Sequence, residues 1–255
     1  ELGFPTRKSE AWKYFHLEPL LKTPFALAPR PALTSKDLQE LRAAFLPESV
    51  NRLVFVNGYY QKDLSAVRLP EGPRLESLDI AVTANGNQTL KSHLGQGIEN
   101  EPNPFTAINT FSFQDGVYLY LPKDARVETP LEIIFATVDP SGTPFVSCPK
   151  IFVFLGEGAS AEVVIQHTGL TPAAYFINTA AEIYLGKKAK LTWTNVHFEG
   201  SGTTQFLNTN CHLQENSSFQ RTAFFQGAAV ARDEVNVELE GERASCELAG
   251  LAVLS

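Results

Sequence analysis

The sequence predicts a mainly β protein whose core is a parallel β-helix preceded by a small α/β N-terminal region. Three observations carry that prediction. The first is a repeat in the second half of the chain. Five times a β-rich run ends in Leu, passes through a short polar turn and a small residue, and resumes as a β-rich run. The units are Leu121-Pro-Lys-Asp-Ala125, Leu155-Gly-Glu-Gly-Ala159, Leu185-Gly-Lys-Lys-Ala189, Leu213-Gln-Glu-Asn-Ser217 and Leu239-Glu-Gly-Glu-Arg-Ala244, the last with one extra residue in its turn.

The second observation is the spacing. The leucines stand 34, 30, 28 and 26 residues apart. Periods of this length mark stacked arrays, in which no unit buries its apolar face alone and stacking builds the core. The third is alternation after each turn. With Leu as position zero, position six holds Val127, Ala161, Leu191 and Phe219, and position eight holds Thr129, Val163, Trp193 and Arg221. Position ten holds Leu131, Ile165, Asn195 and Ala223, and position twelve Ile133, His167, His197 and Phe225. Strand side chains alternate between faces, so each set predicts a column on one face of the stack. The other parity is more polar, with Glu162, Gln166, Thr192 and Thr194, although Val164, Val196 and Phe198 share it. An antiparallel β-sandwich also accommodates short strands with regular turn signals, and the direction of strand pairing separates the two.

Along the chain, residues 1–46 read as helical. Thr6 or Ser9 can cap a short helix through Glu10, Trp12 and Lys13. Ser35 can cap a second, in which Leu38 and Leu41 lie three apart on one face and Pro47 follows. Residues 52–60 read as a hairpin turning at Asn57-Gly58. A polar stretch bearing Pro and Gly follows at 68–76, and residues 91–104 read as a loop into the repeat. The expected division is at residue 100, with 1–100 an N-terminal helical and α+β region and 101–255 the β-helix core.

Composition bounds the function. A net charge of −7 argues against a general nucleic-acid binder, which normally carries a basic face. No run approaches the 18 or so apolar residues of a membrane span, and the first residues lack the apolar core of a signal peptide. Three cysteines without a C-x-x-C pair fit a reducing, cytoplasmic location and give no zinc-site spacing. The sequence contains no Met and stops in apolar β-like residues, Leu248 to Ser255, so the natural protein is expected to continue beyond it.

With these pieces in order, the chain resembles the SufD subunits of the Suf iron–sulfur cluster assembly system. The residues that carry the resemblance are Pro5-Thr-Arg7-Lys8-Ser-Glu10-Ala-Trp12-Lys13-Tyr14, Arg52-Leu-Val-Phe-Val-Asn57-Gly58, Asn103-Pro-Phe-Thr-Ala-Ile-Asn109, Asp115-Gly116-Val-Tyr-Leu-Tyr-Leu-Pro122, and Gly227 through Arg232, Gly241 and Gly250-Leu251. The resemblance implies a right-handed parallel β-helix and a complex with SufB and the ATPase SufC. It implies a non-catalytic scaffold role, with SufC held by a C-terminal segment absent from this sequence. An iron–sulfur cluster, together with reduced flavin, belongs on this view to the full complex rather than to this chain. Pairing through an exposed rung edge, with SufB or with a second copy as a homodimer, is the expected mode of association. The competing readings are a polysaccharide-active β-helix enzyme, which needs acids or cations clustered on an exposed face, and a β-sandwich binding module without chemistry.

Few residues stand out as sites. His167 and His197 occupy the same position in adjacent rungs, so their rings are expected to stack. Two neutral imidazoles can begin a metal site or a proton relay, and the blander reading is a pair of buried rings bonded to backbone or water. Cys148, Cys211 (next to His212) and Cys246 can handle sulfur or iron only as thiolates, and buried apolar cysteines are common. Arg221 falls in a mostly apolar column. Inward, it needs a carboxylate partner or a stack on an indole; a bulge turning it outward is the blander expectation. Trp12 and Tyr14 fit a contact surface or a helix packed on its neighbour. Gly156-Glu-Gly158 is a turn rather than a nucleotide fingerprint, and no catalytic triad, phosphate loop or paired-carboxylate motif is legible.

Overall fold

The computed structural model describes residues 3–84, 87–96, 103–138 and 142–253. The expected boundary at residue 100, and with it most of the connection into the repeat, falls at 97–102, outside the described residues. Among the described residues, five α-helices precede the repeat: α1 (Glu18–Lys22), α2 (Ser35–Ala43), α3 (Leu78–Thr83), α4 (Gln88–His93) and α5 (Pro104–Ser112). Among them run β1 (Ala26–Leu27), β2 (Asn51–Val56), β3 (Tyr59–Tyr60) and β4 (Arg74–Ser77). The repeat then supplies β5 (Gly116–Leu121), β6 (Leu131–Thr137), β7 (Phe145–Ser147), β8 (Lys150–Leu155), β9 (Ser160–Gly169), β10 (Tyr175–Leu185), β11 (Lys190–Glu199), β12 (Thr204–Leu213), β13 (Ser218–Gly227), β14 (Val230–Leu239) and β15 (Ser245–Val253).

These strands form a parallel β-solenoid of about four turns. One sheet carries β5, β8, β10, β12 and β14 side by side, the other β6, β9, β11, β13 and β15, and every pair within the repeat is parallel. Parallel pairing throughout excludes the sandwich. The five repeat leucines end successive strands of the first sheet and stand in register as one column, Leu121, Leu155, Leu185, Leu213 and Leu239. The turn after each leucine places one residue in the left-handed region: Asp124, Gly158, Lys188, Asn216 and Arg243, with φ between 57° and 70°. Its N–H donates to the carbonyl of the next rung's turn, as from Gly158 to Lys187 at 2.8 Å and from Lys188 to Glu215 at 2.9 Å. The turns therefore form a ladder of their own. At Gly158 the conformation comes with a close approach, because a Cβ there would lie 2.4 Å from Asp124 Oδ1.

The second sheet departs from the expected register at its first rung. Arg126 bridges Ser160, yet Leu131 pairs with Val163, so five residues face three. The extra two lie around Thr129, which is exposed, and Pro130, which has no N–H for the ladder. The columns become Leu131-Val163-Trp193-Arg221, Ile133-Ile165-Asn195-Ala223 and Phe135-His167-His197-Phe225. From β9 onward the expected alignment holds.

The N-terminal third is less helical than its residues predict. Pro19, Pro24, Pro29 and Pro31 cut it into short pieces. The Trp12 segment is a single 3-10 turn, Glu10–Trp12, without a side-chain cap. Helix α2 is capped by Thr34 rather than Ser35, in a capping box closed by Asp37. The hairpin at Asn57-Gly58 forms as expected, with positive φ at both residues. Residues 91–93 complete α4, and Pro104 opens α5 rather than a strand.

This N-terminal material covers the outer face of the first sheet. Trp12 is buried with Leu17, Phe105, Phe176 and Phe206, its ring stacked on Phe105 at 5.4 Å and covered by the Arg232 guanidinium at 3.9 Å. Tyr14 of the same motif is exposed. Leu78, Ala81 and Leu90 cover Tyr118, Phe152 and Tyr184. A buried ion pair, Lys150 with Glu182, pins this layer: Glu182 also accepts the Gly95 N–H at 2.8 Å, and Lys150 Nζ reaches Thr110 at 3.2 Å. The outer face of the second sheet is covered at β2 and β6 by Leu41 and Leu64, while Glu162, Thr192 and Phe198 beyond them are exposed.

Candidate functional site

The interior between the sheets changes character along its width. Toward the repeat leucines it is apolar, with Leu119, Val153, Ile183, Val163, Leu191 and Phe219 in one cluster. Toward the opposite rim the inward positions of both sheets turn polar: Thr179, Gln205, Asn195, Glu199, His167 and His197 are all buried.

His167 and His197 lie in this polar part. The sequence pattern brings them together, with ring centroids 4.6 Å apart and planes 18° from parallel. Phe135 stacks below His167 at 5.2 Å and Phe225 above His197 at 4.2 Å. Among the described residues none of the four ring nitrogens has a hydrogen-bond partner, and the Gln205 amide lies beside His197 without reaching hydrogen-bond geometry. Burial holds both rings neutral. It pushes His167 down to about 3, and pushes His197 well below the ordinary imidazole range with help from His167 and Arg221.

Arg221 points inward, against the expectation of an outward bulge. The reason is a partner on the facing sheet: its Nη2 sits 2.8 Å from the Asp233 carboxylate. At the end of β11 the Tyr175 hydroxyl donates to Glu199, whose carboxyl burial raises to about 7. Cys148 and Cys211 are buried thiols. Burial raises Cys148 to about 12 and Cys211 well above the ordinary thiol range, while the less buried Cys246 is raised as well. The desolvation that raises them works against thiolate chemistry.

A second histidine-bearing stack lies outside. On the outer face of the first sheet, the residues just before the repeat leucines are Tyr120, Phe154, Tyr184, His212 and Glu238, in one column. Tyr184 and His212 stack at 4.9 Å and 5°. The column ends on Glu238, and Glu240 follows two residues along the same strand direction. Among the described residues, His212, Glu238 and Glu240 are the group whose three ligand atoms lie within 4.8 Å of one another. Sequence reasoning passed over His212 because it began its columns after the turn. The position one before each leucine carries the signal: three aromatic rings, a histidine and a glutamate.

Two family models match. That for the SufBD protein N-terminal region covers residues 1–133, and that for the SufBD core domain of the SUF iron–sulfur cluster assembly system covers residues 137–255. An iron–sulfur cluster assembly SufBD family protein of Synechocystis is 24% identical over 265 residues, covering 100% of this chain and 57% of that protein. The iron–sulfur cluster assembly protein SufD of Escherichia coli is 27% identical over 253 residues, covering 98% of this chain and 56% of that protein. The SufD of Bacillus subtilis is 23% identical over 159 residues, covering 59% of this chain and 36% of that protein. The chain spans a little over half the length of the first two relatives. No helix among the described residues is long and apolar enough to cross a membrane.

Proposed function

This chain belongs to the SufBD family of iron–sulfur cluster assembly proteins, and on that premise we propose that it is a non-catalytic scaffold part of a Suf complex. It pairs with a SufB-type subunit through the C-terminal part of the solenoid and contacts the SufC-type ATPase through a segment outside this sequence. The observation that carries this reading is that both SufBD family models match, over residues 1–133 and 137–255. The parallel ladder of the solenoid supports the pairing, because a partner strand can join such a sheet along a strand edge. The cluster and reduced flavin are cargo and co-reactant of the assembled complex. The polysaccharide-active alternative loses ground because both halves of the chain match an assembly family.

The His167–His197 pair enters this reading as a metal-handling element. What supports it is that each buried neutral ring keeps an unshared lone pair. What weighs against it is direction: rings this close to parallel aim their lone pairs side by side rather than at one point.

The test is co-expression of this chain, and of a version extended to the natural end, with SufB-type and SufC-type partners, followed by affinity capture and measurement of bound iron and sulfide. The expected result is that the extended chain captures both partners and the shorter one loses SufC. If neither captures SufB, the scaffold reading fails. Unchanged iron in the complex carrying His167→Phe and His197→Phe removes the imidazole element alone.

A further inference from the structure

We propose that His212, Glu238 and Glu240 form a binding site for a divalent first-row transition-metal ion on the outer face of the first sheet. The site rests on solenoid geometry and does not depend on the cluster-assembly reading. His212 of β12 and Glu238 of β14 are register partners on neighbouring parallel strands. Glu240 is the first residue past β14, and its N–H still donates to the Leu213 carbonyl at 2.9 Å, which keeps it in line with the strand and brings it to the same side as Glu238. Rung spacing and strand period together set three ligands around one point.

The distances suit an ion. His212 Nδ1 lies 2.9 Å from Glu240 Oε1 and 3.4 Å from Glu238 Oε2. Ligands bound at about 2.1 Å stand roughly 3.0 Å apart at an octahedral edge and roughly 3.4 Å at a tetrahedral one. The imidazole is also held in place before any ion arrives. It stacks on Tyr184, whose hydroxyl donates to the His93 carbonyl at 3.0 Å, and its side chain is only 12% exposed. The two carboxylates are about half exposed, at 50% and 45%.

The surroundings favour a cation. Glu238 and Glu240 set two carboxylates beside one imidazole, a concentration of negative charge at this point. The cation lining the adjoining cavity, Lys187, is paired with Glu215 at 3.2 Å. That cavity, about 520 Å³, opens over the three ligands beside His93, Phe154 and Gln214. Coordination positions the protein does not fill therefore face space for water or a small anionic ligand. One imidazole and two carboxylates, without thiolate, suit Fe²⁺, Co²⁺ or Zn²⁺ over Cu⁺, while Ca²⁺ and Mg²⁺ favour all-oxygen shells.

The test uses the whole chain without an affinity tag. Co²⁺ is titrated with visible absorption as the readout, and Zn²⁺ by calorimetry. The expected result is one ion per chain at low-micromolar affinity, with Co²⁺ ligand-field bands. Both are weakened at least tenfold in His212→Ala and in Glu240→Gln, and unchanged in the surface control His16→Ala. Glu240→Gln alters an exposed side chain and keeps the test open if His212→Ala fails to fold. Absence of saturable binding, or binding that persists unchanged in the variants, overturns the proposal and leaves the cluster as an ion pair.

Discussion

Two stacks of rings run across the rungs of this solenoid, and each contains histidine. The inner one, Phe55, Phe135, His167, His197 and Phe225, lies between the sheets, and its two imidazoles make no hydrogen bond among the described residues. The outer one ends with Tyr184, His212 and then Glu238, beside an open cavity. Both are built by the same device, one ring per rung at strand spacing. What differs is the neighbour. An imidazole stacked between a phenyl ring and a second buried imidazole is a packing element that must stay neutral, whereas one that meets carboxylates at the edge of solvent is a ligand. Both stacks use the same imidazole side chain, so the difference in role comes from the sheet face it occupies, from desolvation and from the residue one rung further along.

The largest expected effect tests whether the inner stack is part of the core. Phe135 is 4% exposed and lies between Phe55 and His167. Phe135→Ala is expected to cost about 3–5 kcal/mol, in the range for a buried ring replaced by a cavity. Phe154→Ala, in the half-buried outer stack, is expected to cost about 1–2 kcal/mol, because part of that ring already faces water. Urea unfolding midpoints measure both. Equal losses would mean that the outer stack is as sealed as the inner one, and the comparison would fail.

Next comes pH. The folded state holds His167 neutral down to about 3, whereas the unfolded chain takes up a proton near 6.5. The stability this represents is fully present above pH 6.5 and is lost as pH falls toward 3, at about 1.4 kcal/mol per pH unit. His167→Phe, which extends the aromatic stack, is therefore expected to flatten the acid side of a plot of unfolding temperature against pH. Glu199 works in the opposite direction. Its carboxyl is raised to about 7 from 4.5, so its contribution is complete below pH 4.5 and lost as pH rises through 7. Glu199→Gln is expected to gain about 3 kcal/mol at pH 8 relative to the parent, and nothing at pH 4.5. An acid limb that stays steep in His167→Phe would show that other groups govern it.

The sequence carried the stack itself, because leucines at a regular turn and alternation after it are local signals that survive without tertiary knowledge. It also carried the meeting of His167 and His197, since both belong to rungs without insertions. It did not carry the first rung, where two extra residues around Pro130 shift Leu131 onto Val163. An insertion inside a strand leaves hydrophobicity unchanged and alters only the pairing. It did not carry the direction of Arg221 either. A lone Arg in an apolar column is explained only by Asp233, twelve residues on and on the opposite sheet. The His212 cluster was legible in principle, but only by reading the columns that enter the turns as well as those that leave them. The N-terminal helices were overstated because Leu and Ala at helical spacing outweighed the prolines between them.

The smallest expected effect sharpens the comparison most. In metal-free buffer His212→Ala is expected to change stability by less than about 1 kcal/mol. Its contacts with Glu238 and Glu240 are ion pairs whose acidic members are half exposed, and such pairs contribute little. The open cavity that His212 lines also lets water fill the gap its ring would leave. Parent and variant should then unfold at nearly the same temperature in chelator and separate only when Zn²⁺ is added, because an ion that binds the folded chain alone stabilises it by mass action. A large loss in chelator would make His212 a packing element like His167. Both stacks would then serve the fold alone, and the rung position of Glu238 would carry no chemistry.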